Sequence, residues 1–498
     1  MKKQYKIFGL ILALALLVCS VVALSASAED TLAIEYANVA YNKMTQLAFT
    51  IKGTPAEGAE VGLAYWGYDV TGEKTLDNAT LTFENATLDG KTYWLTPGIP
   101  ASEMSKKVTV APVTRDAEGK VALAGALFEY GIYDYVNDRL ADNNVTDKQM
   151  KLYTNLVKYG NSAEKVINKA NPTIPYVIAE NGEFASNGKS LYLASAGDKL
   201  TLRANTINAD GDYFLYWTAP DGSKIYDRVT SATAGATSAT YVANYGDKAD
   251  SAYAGAFNFN TLSNGVLNIV PATIGTPSLS GGIYTVTNSA TFMNGALELF
   301  YGKIQVASDT DLTVVKTTEL KVNEGKDSKY LSFTKNGLGG TQYVSFTDRS
   351  GITNERIEIE MAYTGYAGAE TTALYFYFAG GGATKTCRID VRYEAGGDLY
   401  LFKNGTSAKV YAGNYKLGEK FTVAAEVNAD GLVVAYVDGV AVTNAKDGSV
   451  LLADGGFDFG LTKGATYKAT KLWYESYSYD NNTANFYVVN FVDTDKFN

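Results

Sequence analysis

Along the segment "KLWYESYSYD", Trp473, Glu475, Tyr477 and Tyr479 stand at two-residue spacing, which on a β-strand turns all four to one side. Flat rings beside a carboxylate suit one chemistry in particular. The rings stack on the apolar face of a sugar while the acid accepts hydrogen bonds from its hydroxyls. On a concave sheet or its rim this stripe makes a glycan cleft. Facing between two sheets, Trp473 is core and Glu475 needs a buried partner. Tyr375 and Tyr377, alternating with Leu374, Phe376 and Phe378, form a second, shorter stripe.

Acid–base chemistry has less to work with. The 498 residues include no histidine, which removes every Ser-His-Asp and Cys-His arrangement and every imidazole metal site. What remains is paired carboxylates with Tyr or Lys. Glu358 and Glu360 share a strand face, with Arg388 and Arg392 on another alternating strand. The spacing predicts a water-facing cross-strand charge ladder. Asp309 with Asp311, and Asp493 with Asp495, offer oxygens to a structural calcium, without a complete EF-hand loop. No other cofactor is expected. Cys387, on the apolar side of the alternation with Ile389 and Val391, reads as a buried, inert thiol.

The elements that must position these residues are strands. Tyr 37 and Gly 48, against only 19% charged residues, describe β-structure rich in tight turns. Two stretches show clean alternation: Ile357, Ile359, Met361 and Tyr363 against Arg356, Glu358 and Glu360, and Cys387, Ile389, Val391 and Tyr393 against Arg388, Asp390, Arg392 and Glu394. Each predicts one buried and one wet face. Asp430-Gly431 and Asp438-Gly439 sit where hairpin turns need positive φ. Helices are expected over 128–140 and after the capping box Thr146-x-x-Gln149, where Met150, Tyr153, Leu156, Val157, Gly160 and Ala163 follow helical spacing until Pro172. Trp217 reads as a core aromatic.

Lys2, Lys3 and Lys6, an apolar run over 7–24 and Ala26-Ser27-Ala28 read as a secretory leader over residues 1–28. Its removal takes Cys19 away and moves the net charge from −10 to −13. So acidic a chain is a poor partner for nucleic acid, and no membrane span is expected after cleavage. The expected localisation is secreted or cell-surface associated.

Three segments resemble known families. Around "ALFEYGIYDYVNDRL" and "LYTNLVKYGNSAEKVI", the residues Tyr133, Tyr135, Tyr159, Gly160 and Ala163 match a helix-pair module of secreted surface proteins of gut-type Firmicutes, with Glu164 where Gln is usual. Gly197, Asp198, Leu200, Leu202, Ala204, Phe214, Trp217, Tyr241, Ala243 and Tyr245 match the pattern of internalin-type B-repeat domains, which implies a spacer or adhesive module. Residues 415–443, with Phe421 where Trp is common, resemble laminin-G-like members of the concanavalin A-like jelly rolls. That superfamily holds lectins and glycoside hydrolases. Its laminarinase-type hydrolases carry an E-x-D-x-x-E strand, and the nearest stretch here places Arg388 at the nucleophile position, before Asp390 and Glu394.

The expected fold is therefore mainly β and multidomain: an α+β module (31–171), a B-repeat-like β domain (172–250), a connecting segment (251–289) and a jelly-roll sandwich (290–498). The expected function is non-catalytic carbohydrate binding or adhesion through Trp473, Glu475, Tyr477, Tyr479, Tyr375 and Tyr377, with a glycan or cell-surface partner. A glycoside hydrolase or lyase using jelly-roll carboxylates, and an envelope protein with no small ligand, stand as alternatives.

Overall fold

The computed structural model describes residues 32–497 except 42–43, 89, 143, 256, 259–264, 270–278, 281–282, 289–296, 306–317, 325–328, 336–341, 349–352, 366–369 and 477–483. The chain is mainly β, its strands pairing antiparallel except for Tyr176–Glu180 with Ala239–Gly246, and it has two α-helices among the described residues. It divides into two units, residues 1–175 and 176–498.

In the first unit, Ala33–Tyr41, Thr45–Lys52, Lys91–Leu95 and Ala86–Leu88 form one sheet, and a second is centred on Glu60–Trp66 and Lys107–Arg115. Helix α1 (Ile132–Leu140) follows the strand Phe128–Gly131, so the expected helix begins four residues late. Phe128 is held by ring contact with Phe49 at 6.2 Å, and pairing with Lys107–Arg115 overrides the local helical pattern. Helix α2 (Asp147–Asn168) starts where the capping box places it: Gln149 N donates to Thr146 Oγ1 and Thr146 N donates to Gln149 Oε1. The helices meet through Tyr135 and Tyr153, and Tyr133 Oη donates to Asn161 Oδ1 at 2.5 Å.

The second unit begins with two small sheets over 176–246 around a core containing Phe214, Trp217 and Tyr253. Trp217 is fully buried, its Nε1 donating to Arg228 O at 3.2 Å.

The C-terminal part is a sandwich of a ten-stranded and a nine-stranded sheet. Alternation supplies its core: Ile357, Ile359, Met361, Phe421 and Val423 from one sheet face Leu374, Phe376, Phe378, Cys387, Ile389, Leu472 and Tyr474 from the other. Tyr363 Oη donates across the gap to Val391 O at 2.8 Å. The turn glycines Gly431 and Gly439 both have φ of 76°, as the hairpins require.

The strand Arg356–Tyr363 departs from the expected one-sided pattern, because every residue in it is buried. One side faces the sandwich core. The other is covered by the small β part, whose Arg203 and Arg228 lie on it.

Candidate functional site

Glu358 and Glu360 form no wet ladder with Arg388 and Arg392. The glutamates lie in the ten-stranded sheet and the arginines in the nine-stranded one, and only 4% and 5% of the two glutamates is exposed. Their partners come from the small β part. Arg228 Nη1 donates to Glu360 Oε2 at 3.1 Å, and its Nε lies 3.7 Å from Glu358. Arg203 Nε lies 3.8 Å from Glu360, while its Nη2 donates to Asp438 at 3.2 Å. Asn490 Nδ2 donates to Glu358 at 2.9 Å.

Burial works to raise the Glu360 carboxyl, but Arg228, Arg203 and Lys420 outweigh it and hold the group at about 2. At Glu358 burial wins over Arg228 and Asn490, and its pKa is raised. Both carboxylates are occupied and sealed from substrate. Their chemistry is structural, since buried charge persists where it is paired.

The aromatic stripes lie on the outer face of the nine-stranded sheet. In the strand Tyr467–Ser476, Leu472 and Tyr474 point into the core, so Trp473 between them points outward and is half-buried. In the neighbouring strand Glu370–Gly380, the same alternation sends Tyr375 and Tyr377 outward. Register brings the stripes together, pairing Tyr375 with Trp473 and Tyr377 with Lys471. The Trp473 ring meets Tyr375 at 6.2 Å and Tyr377 at 5.9 Å, both edge-on. Edge-on contact fixes the tilt of the rings.

Of the other residues in the stripe, Glu475 pairs in register with Ala373. Tyr477 and Tyr479 lie outside the described residues.

Cations flank these rings. Lys471 Nζ lies 4.8 Å from the Trp473 centroid and 5.4 Å from that of Tyr377. Arg388, paired in register with Tyr375, donates from Nη1 to its hydroxyl at 3.1 Å. Arg388 also grips Asp390 through two bonds of 2.7 and 3.2 Å. Burial pushes the Asp390 carboxyl up, against that pull. Lys471 lies two residues before Trp473, so the spacing alone places it on the same strand face.

Glu355, Asp493 and Asp495 bring carboxylate oxygens within 4.8 Å of one another and are the residues that could hold a divalent cation. The strand pairing that sets Arg356 beside Val492 delivers Glu355 to the Asp493-x-Asp495 pair. Burial, with Asp495 and Asp493 nearby, raises the Glu355 carboxyl, while bonds from Thr494 lower it. Asp309 and Asp311 lie outside the described residues. Cys387 is fully buried, and burial pushes its thiol up to about 12.

No protein-family model matches the chain, and no curated protein matches it. Among solved structures, it is similar to SGBP-B from a xyloglucan utilization locus in Bacteroides uniformis, with 10% identity, 92% of this chain and 99% of that one covered and a TM-score of 0.26. It is also similar to the apo Crh5 transglycosylase, with 13% identity, coverage of 44% and 86% and a TM-score of 0.25. A third is the catalytic domain of an endo-1,3-beta-glucanase (laminarinase) from Thermotoga petrophila, with 14% identity, coverage of 46% and 98% and a TM-score of 0.20. At scores this low the sandwich rests on its own sheets rather than on these likenesses.

Proposed function

We propose that this is a secreted or surface-associated, non-catalytic carbohydrate-binding protein whose glycan lies across the outer face of the nine-stranded sheet. The observation that carries this reading is the trio Trp473, Tyr375 and Tyr377, three half-exposed rings locked edge-on in one patch. Rings buried only for packing would sit inside, as Trp217 does. Glu475, Tyr477 and Tyr479 are assigned to the same site by their spacing along the strand and its continuation.

In this reading 1–28 is a leader, 31–171 a surface-protein module of the Firmicutes type, 172–250 a B-repeat-like spacer, 251–289 a connector and 290–498 a concanavalin A-like jelly roll. Among the described residues no helix is long and apolar enough to cross a membrane. The test is affinity electrophoresis of the full chain through gels containing soluble polysaccharides, with release of reducing ends measured in parallel. Retardation that disappears in Trp473→Ala, with no new reducing ends, is the expected result. Retardation unchanged by Trp473→Ala, or turnover of the glycan, would sink the proposal.

A further inference from the structure

The aromatic patch carries a charge that a neutral sugar does not need. Several cations of the nine-stranded sheet and its flanks are matched by carboxylates: Arg388 by Asp390 at 2.7 Å, Arg392 by Glu394 at 2.9 Å, Lys409 by Glu394 at 3.2 Å, and Lys446 by Asp398. Lys385 and Lys468 are exposed to water, and Lys403 donates to the Asp458 carbonyl. Lys471 sits instead among the aromatic rings. It is half-buried against two rings, and among the described residues no carboxylate pairs with it. Burial pulls its ammonium below the usual lysine range, and among the described residues no acid restores it. Ring faces return part of that desolvation but do not replace a counter-ion.

Placement matters as much as pairing. Lys471 sits beside Trp473 and across from Tyr377, so a sugar ring stacked on either brings its ring substituents within reach of the ammonium. At the other end of the row, Arg388 is turned toward Asp390 and Tyr375 and has little charge left to give. The chain as a whole is acidic, with 53 Asp and Glu against 43 Lys and Arg. A polyanion is thus repelled by most of the molecule and attracted at this point.

We infer that the glycan taken by this face is anionic: its rings stack on Trp473 and the tyrosines, and a ring carboxylate or sulfate pairs with Lys471. This rests on the reading of the face as the glycan-binding surface. The charge-assisted contact is directional and partly desolvated, so it selects acidic over neutral sugars rather than adding general stickiness.

The experiment uses the full chain in affinity gels and calorimetry with polygalacturonate, a sulfated galactan, and a neutral β-glucan and xylan. Lys471→Met keeps the stem packed on the rings and removes the charge, and circular dichroism checks its fold. The expected result is retention of polygalacturonate or the sulfated galactan, weakened 10-fold or more by Lys471→Met, recovered in part by Lys471→Arg, and falling with salt. Which acidic polymer is held assigns the carboxylate or the sulfate. Neutral polymers bound as tightly as acidic ones, with Lys471→Met without effect and Trp473→Ala abolishing both, would overturn the acidic assignment and leave the glycan face standing. Failure of all four polymers to be retained would overturn both.

Discussion

Replacing Arg228 with Ala tests whether the small β part and the sandwich are held together by charge. Its guanidinium is 1% exposed, 3.1 Å from Glu360 and 3.7 Å from Glu358. At an effective dielectric near 20, those distances correspond to attractions of about 5 and 4 kcal/mol. Arg203 and Lys420, each 3.8 Å away, remain to serve Glu360, whereas Glu358 keeps Asn490 at 2.9 Å. Removing one partner of a buried pair costs about 3–5 kcal/mol because the charge left behind is stranded in low dielectric. Hydrogen exchange followed by mass spectrometry reads this locally. Amides of Lys199–Arg203, Val229–Thr233 and Arg356–Tyr363 should exchange about 140- to 3,700-fold faster at 1.4 kcal/mol per decade, and the three strands should do so together. Arg228→Met combined with Glu358→Gln and Glu360→Gln removes the stranded charges and should recover most of the loss. Acceleration of the single variant by less than about 10-fold, or a triple variant worse than the single, would refute the reasoning.

Three further outcomes are expected. Gly439→Ala must adopt φ of 76° and set its Cβ 2.2 Å from Val229 O, so it should lose at least the roughly 1–3 kcal/mol of a strained backbone; Gly448→Ala, at φ 85° with nothing within 4 Å, should lose less, and equal losses in urea titrations would deny the close approach. Cys387 should ignore a thiol reagent at pH 8 until the chain unfolds, given full burial and a thiol pushed up to about 12; rapid native-state labelling would contradict it. Glu360 is held at about 2, below its ordinary value, so its share of stability is present above the ordinary carboxylate range and is lost as pH falls toward 2. Glu358, raised, acts in the opposite sense, its protonation relieving the folded state on mild acidification. Melting curves from pH 7 to 2 should show the acid decline, and Glu360→Gln should flatten it.

The inward and outward alternation of both sheets was legible in the sequence because side chains on a strand change sides at every residue. Leu374, Phe376 and Phe378 against Tyr375 and Tyr377 read the same way in the string and in the sandwich. So did the capping box at Thr146, the hairpin glycines and the buried Cys387, each fixed by backbone geometry or by neighbours within a few residues. Strand period, however, says only that two faces differ and not what covers each. Glu358 and Glu360 looked wet because their face is charged, and they are dry because Arg203 and Arg228, more than a hundred residues earlier in the chain, lie over them. Trp473 carried the converse ambiguity. Its local pattern allowed core or surface, and the register with Tyr375, together with Leu472 and Tyr474 filling the interior, turned it outward. Composition and period therefore determined that this chain would be sheets with one apolar face apiece. Long-range packing alone decided which polar face became a salt-bridged seam and which was left as aromatic surface, since burial depends on partners that a local pattern does not contain.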